Sequence, residues 1–163
     1  MTLKTPRSIQ TEHDELHEKL KKATESGGET QKAAIVVADL LHEHFVDEEA
    51  YAMPPLGLLA SLAQGEMPQD AGPAIEMSRK LRANLDHMIG EHRAILNALR
   101  TLIIEATAEG KPEHAEFGRA LMLHAQTEEE ILYPATLLIG EYLELRMGSG
   151  QSEPFKREVA LTR

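Results

Sequence analysis

The step of the apolar residues decides what this chain can fold into. Leu81, Leu85, Met88, His92, Ile95, Leu99 and Ile103 recur every three or four positions, which is the spacing of one face of an α-helix. Leu16 and Leu20 keep the same step, as do Val37, Leu41 and Phe45, and again Phe117, Leu121, His124, Glu128 and Ile131. No segment alternates in the manner of a half-buried strand. The spacing predicts helices over residues 8–25 and 29–53, a long third helix reaching about residue 109, and a fourth from Pro112 to Pro134. A kinked continuation, ATLLIGEYLELRM, follows before Gly148 and Gly150. Gly27-Gly28 and Gly110 with Pro112 mark tight turns, where glycine stops one helix and proline starts the next. The expected fold is an all-α, antiparallel, up-and-down four-helix bundle over residues 1–147. An additional short helix (LGLLASLAQ, 56–64) and a flexible C-terminal tail (148–163) complete it. The third and fourth helices outlast the first two, so Leu81 and Leu85, opposite Leu137, Leu138 and Tyr142, need cover. The short helix can supply that cover, or a second subunit can, which makes a homodimer through the long helices one expectation.

Composition narrows the partners. The 163 residues suit one domain, and 17 Lys and Arg against 27 Asp and Glu leave a net charge of −10. Nucleic acid and anionic membrane both call for a basic face, so neither is expected as a partner. Cysteine is absent, which removes disulfides, thiolate zinc sites, iron–sulfur clusters and thiol chemistry. The polar start MTLKTPRSIQ has no apolar signal segment, and a cytoplasmic location is expected. The odd entry is eight histidines where aromatic residues make up only 4%.

Those histidines fall in a duplicated pattern. His44-Phe-Val-Asp-Glu48-Glu49 leads to Pro54, and His124-Ala-Gln-Thr-Glu128-Glu129 leads to Pro134, with the same spacing. Upstream, Glu12-His13-Asp14 matches Glu91-His92-Arg93, and the intervals from His13 to His44 and from His92 to His124 are 31 and 32 residues. The chain therefore reads as two helical hairpins, each bringing one His and one His-x-x-x-Glu. That motif alone is weak, since His87 and Glu91 also satisfy it. Phase separates them: His44 and Glu48, like His124 and Glu128, sit on the apolar stripe itself. Four residues along a helix amount to about 40° of rotation and about 6 Å of rise, so both side chains point one way.

A buried carboxylate or imidazole without partners is costly. One such residue is ordinarily a satisfied core polar group, but four imidazoles and two carboxylates converging in one bundle are better explained by cations. Imidazole and carboxylate without thiolate suit iron, manganese or zinc. Other constellations fit less well. His13-Asp14-Glu15-Leu16-His17 resembles a zinc-protease motif with Asp in place of the general-base Glu. No His carries a Glu three residues before it, which disfavours the ferritin-type di-iron pattern. His42 and His114 are expected to face solvent, and Tyr51, three residues after Glu48, is a candidate second-layer hydrogen-bond donor.

With these residues assembled, the sequence resembles the hemerythrin-like (HHE cation-binding) family from about residue 8 to 135, on EHDEL, HFVDEEAYAMP, EHRAIL and HAQTEEEILYP. The resemblance implies that His13, His44, His92 and His124 ligate two non-haem irons, with Glu48 and Glu128 bridging them beside an oxo or hydroxo group. Zinc or manganese would be a replacement. It further implies binding or sensing of dioxygen, another small diatomic or a peroxide, or handling of iron. The alternative is a di-iron oxidoreductase acting on peroxide, nitric oxide or superoxide, and a metal-free interaction module comes third. Oxygen-carrying hemerythrins have a fifth His one turn before the third-helix ligand, where this chain has Met88. His87 is a candidate extra ligand if a π-bulge near Gly90 brings it onto the face of His92.

Overall fold

A computed structural model describes residues 3–149. Helix α1 (Arg7–Thr24) turns through Gly27 and Gly28 into α2 (Gly28–Asp47). A π turn (Glu48–Ala52), a 3₁₀ turn (Pro54–Leu58) and the short α3 (Leu59–Ala63) lead to the long α4 (Ala71–Ala108). Then follow α5 (Pro112–Thr127), a second π turn (Glu128–Leu132) and α6 (Tyr133–Ser149). No strand occurs among the described residues. Helix α1 lies against α2 and α5, and α4 lies against α2, α5 and α6. The four walls are therefore α1, α2, α4 and α5, in the up-and-down order that the short turns impose. The expected tail falls largely on residues 150–163, which lie outside the described residues, and helix α6 runs to Ser149 rather than stopping before Gly148.

The overhang of α4 and α6 is covered in part from within the chain. Leu56 and Leu58 of the 3₁₀ turn are buried and join Leu81, Ile139 and Leu143 in one apolar cluster with Tyr51, Met53, Met88 and Tyr133. Leu138, Tyr142 and Leu145 stay at the surface of α6. A second cluster fills the turn end of the bundle, from Leu16, Leu20, Val37 and Leu41 to Leu99, Leu102, Phe117 and Leu121. Between the two clusters runs a layer of buried polar side chains.

The turn end carries a clasp. Gly27 and Gly28 have φ of 77° and 69°, a region that an L side chain rarely enters. A Cβ at Gly28 would also fall 2.2 Å from Glu109 Oε1. Glu109, from the opposite turn, accepts hydrogen bonds from the Glu29 N–H (2.7 Å), the Thr30 N–H (3.2 Å) and the Thr30 hydroxyl (2.6 Å). It thereby caps the free amides that open α2. Lys111 donates to the carbonyls of Ser26 and Gly27 at 3.0 and 2.7 Å and pairs with Glu109. The Lys111 hydrogen bond, followed by those from Thr30 and Glu29, brings the Glu109 carboxyl down to about 2.

The irregular turns do not fall at Gly90, where α4 runs as continuous α-helix. They fall just before Pro54 and Pro134. Proline lacks an N–H, and its ring collides with the carbonyl four residues back. Each π turn loosens that contact: the N–H of Met53 reaches the Glu48 carbonyl, and that of Tyr133 reaches the Glu128 carbonyl. The extra residue shifts the helical phase. Ile131, expected on the inner stripe, is 59% exposed, and Tyr133 is buried in its place.

Candidate metal centre

The polar layer is built by all four walls. Helix α1 supplies His13, α2 supplies His44, α4 supplies His92 and α5 supplies His124, while Glu48 and Glu128 open the two π turns. All six are buried. Their donor atoms gather in two groups, each within a 4.8 Å span: His44, Glu48, His92 and Glu128 in one, and His13, His124 and Glu128 in the other. His44 Nε2 lies 2.8 Å from His92 Nε2 and 3.4 Å from Glu48 Oε1. Glu128 reaches both ways: its Oε2 is 3.3 Å from His92, and its Oε1 is 2.8 Å from His124 and 3.6 Å from His13.

A ring of outer carboxylates orients the imidazoles. The Nδ1 atoms of His44, His92 and His124 lie 3.0, 2.8 and 3.2 Å from Glu91, Glu129 and Glu12. An Nδ1–H given to a carboxylate turns the Nε2 lone pair inward, the state in which imidazole binds a cation. Glu12 and Glu91 each precede a centre histidine in sequence, yet each serves the histidine of a neighbouring helix. The repeated Glu-His pair was the signal that could have found them.

Charge is unevenly held. Burial works against a proton on His44, but hydrogen bonding and charge from Glu48, then Glu91, push it up to about 9. His124 is likewise lowered by burial and raised more strongly by Glu128, to about 9. Burial, and then the charge of Glu128, raise Glu48. For Glu128 burial acts upward, but His124, His13 and His92 outweigh it and keep the group ionised well below the usual carboxylate range. Even so, His13 Nε2, His124 Nε2, Glu48 Oε2 and Glu128 Oε1 are buried without a hydrogen-bond partner. Each such atom costs roughly 1–3 kcal/mol, more where charged. Inward imidazole nitrogens and carboxylate oxygens, close together and unsatisfied, are the donor set that a divalent or trivalent cation satisfies once it displaces the imidazole protons.

Other expected residues lie elsewhere. The His87 ring is 66% exposed, 3.3 Å from Glu91, and belongs to neither group, because the regular helix through Gly90 keeps it about 140° from His92. The Tyr51 hydroxyl donates to the Met88 sulphur at 3.5 Å, and burial, then Asp47, with smaller contributions from Glu91 and Glu48, holds it above the ordinary phenol range. His17 sits outside the layer against the Phe45 ring, 4.4 Å between centroids. His114, expected in solvent, is buried in the cleft where α5 meets Lys19 and Lys22 of α1. The residue that the stripe missed is Tyr133. Its hydroxyl donates to Glu48 Oε1 and lies 3.3 Å from His92 Nε2.

The model of the hemerythrin HHE cation-binding domain matches residues 5–136. The chain belongs to this family. No curated protein and no solved structure matches it. In this HHE domain the matched span runs from just before α1 through the second π turn and takes in all six buried side chains of the layer. The HHE domain carries Met88, fully buried, one turn before His92, so that position presents a thioether where a fifth imidazole would stand. No described helix is long and apolar enough to cross a membrane.

Proposed function

We propose that the polar layer holds two non-haem iron ions and that the protein uses them to bind or sense dioxygen or a related small molecule, or to handle iron. The observation that carries this reading is the set of four buried, unpartnered atoms on His13, His124, Glu48 and Glu128. They face inward from three of the four walls, and hydrogen bonding within the protein leaves them unsatisfied. In this reading His44, His92, Glu48 and Glu128 hold one ion, and His13, His124 and Glu128 hold the other. The bound irons would supply redox-active, electrophilic centres for small oxygen or nitrogen ligands. The protein supplies the rest. Glu91, Glu129 and Glu12 keep the imidazoles aimed inward, and the apolar clusters on either side keep bulk water out.

Metal analysis of protein produced with iron available tests the centre. About two irons per chain are expected, and less than one with full stability would overturn the reading. Adding dioxygen, peroxide or nitric oxide to the diferrous protein then tests the role. Reversible spectral change supports a binding or sensing protein, whereas catalytic turnover would replace it with the oxidoreductase alternative.

A further inference from the structure

The carboxylates that orient the imidazoles follow the repeat of the two halves, with one gap. Glu12 precedes His13 and pairs with His124 Nδ1, while Glu91 precedes His92 and pairs with His44 Nδ1. Exchanging the halves exchanges these two pairs. Glu129, the residue after Glu128, lies 2.8 Å from His92 Nδ1. The same exchange turns that pair into Glu49, the residue after Glu48, with His13. Among the described residues this fourth pair stands open. His13 meets Glu128 through Nε2 at 3.6 Å, and neither its Nδ1 nor the Glu49 carboxylate has a partner.

The backbone is alike in both halves. Glu49 and Glu129 are each the second residue of a π turn, Glu48–Ala52 and Glu128–Leu132. Glu49 and His13 line one cleft, so rotation of the Glu49 side chain is what closing the pair requires. The halves differ upstream. Helix α4 begins at Ala71, far ahead of His92, whereas α1 begins at Arg7, barely ahead of His13. Leu3, Lys4 and Thr5 therefore wall the cleft as non-helical chain. We infer that Glu49 is a positioning residue for His13, accepting its Nδ1–H across this cleft and aiming its Nε2 inward. The inference rests on the metal-centre reading above. Glu49 acts through His13, as Glu12, Glu91 and Glu129 act through the other three imidazoles.

Zinc titrations by calorimetry, with NMR of the histidine rings in the zinc-loaded protein, test it. Glu49→Ala is expected to weaken one of the two stepwise affinities by about 10–100-fold, as Glu129→Ala should. Glu49→Gln keeps an acceptor and is expected to restore most of that loss. Glu43 is exposed on α2, so Glu43→Ala removes an equal charge and should leave both affinities as in the wild type. The His13 Nδ1 proton should exchange slowly with solvent in the wild type and rapidly in Glu49→Ala. Wild-type affinities in Glu49→Ala would overturn the inference, and so would an equal loss in Glu43→Ala, which would reduce the effect to net charge. Rapid exchange of the His13 Nδ1 proton in the wild type would overturn it even if Glu49→Ala fails to fold. In a His13→Ala background Glu49→Ala should add no further loss. A full further loss there would place Glu49 on another partner, such as Lys4 across the cleft, and would also overturn it. Failure of the wild type to take up zinc would instead remove the metal-centre reading itself.

Discussion

An alanine at His44 or Glu128 takes one donor out of a buried layer and leaves its neighbours with fewer partners. Both variants are expected to lose one or both ions and to melt at lower temperature in iron-containing buffer, because an ion that binds only the folded chain stabilises it. Metal content with thermal denaturation checks this, and unchanged metal in either variant would count against the assignment. His87→Ala, at an exposed ring, is expected to keep full metal content. Protons compete for the same atoms. His44 and His124 are raised to about 9 in the metal-free protein, so below that pH each ion displaces protons. Affinity should therefore rise toward pH 9, and loading should release acid, measurable by calorimetry in buffers of differing ionisation enthalpy; a flat affinity from about pH 6 to 9 would contradict it. The six clustered side chains were legible because five stand on the stripe where an apolar residue belongs and His13 repeats the Glu-His pair at Glu91-His92. Tyr133 was not, because the stripe assigns its place to Ile131, and only the phase shift of a π turn exchanges them.

At the scale of elements, the helices, the two tight turns and the covering short segment could be read from spacing, glycine and proline. The π turns could not be located from spacing alone, although Pro54 and Pro134, as the residues that demand them, were in view. The clasp was also out of reach, since Glu109 and Thr30 are 79 residues apart in sequence. It has a pH signature. Glu109 is depressed to about 2, so its support is fully present above the ordinary carboxylate range and is lost as pH falls toward about 2. Glu109→Gln should remove that part of the acid-limb slope and lower the melting temperature at neutral pH by roughly a few degrees. An unchanged acid limb would show that the clasp contributes nothing. Helices α4 and α6 approach closely at Gly140, where a Cβ would fall 2.4 Å from Ser78 Cβ. Gly140→Ala should cost about 1–3 kcal/mol by forcing them apart, and an unshifted denaturation midpoint would refute that.

Over the whole molecule, the apolar interior is not continuous. One cluster reaches from Leu16 to Leu121 at the clasped end, the other from Tyr51 to Leu143 at the open end, and the histidine–glutamate layer separates them. In cooperative terms that layer is a fault line, and a cation bound across it acts as a rivet. Stripping the ion with a chelator should uncouple the two ends. Amide hydrogen exchange is then expected to quicken around residues 48–58 and 133–143, while residues 33–41 and 95–102, behind the clasp, keep their protection. Equal loss of protection at both ends would mean that the chain unfolds as one unit with or without metal. If the ends do separate, metal supply would govern how far half of this bundle opens, and proteolysis at the open end would report the occupancy of the centre.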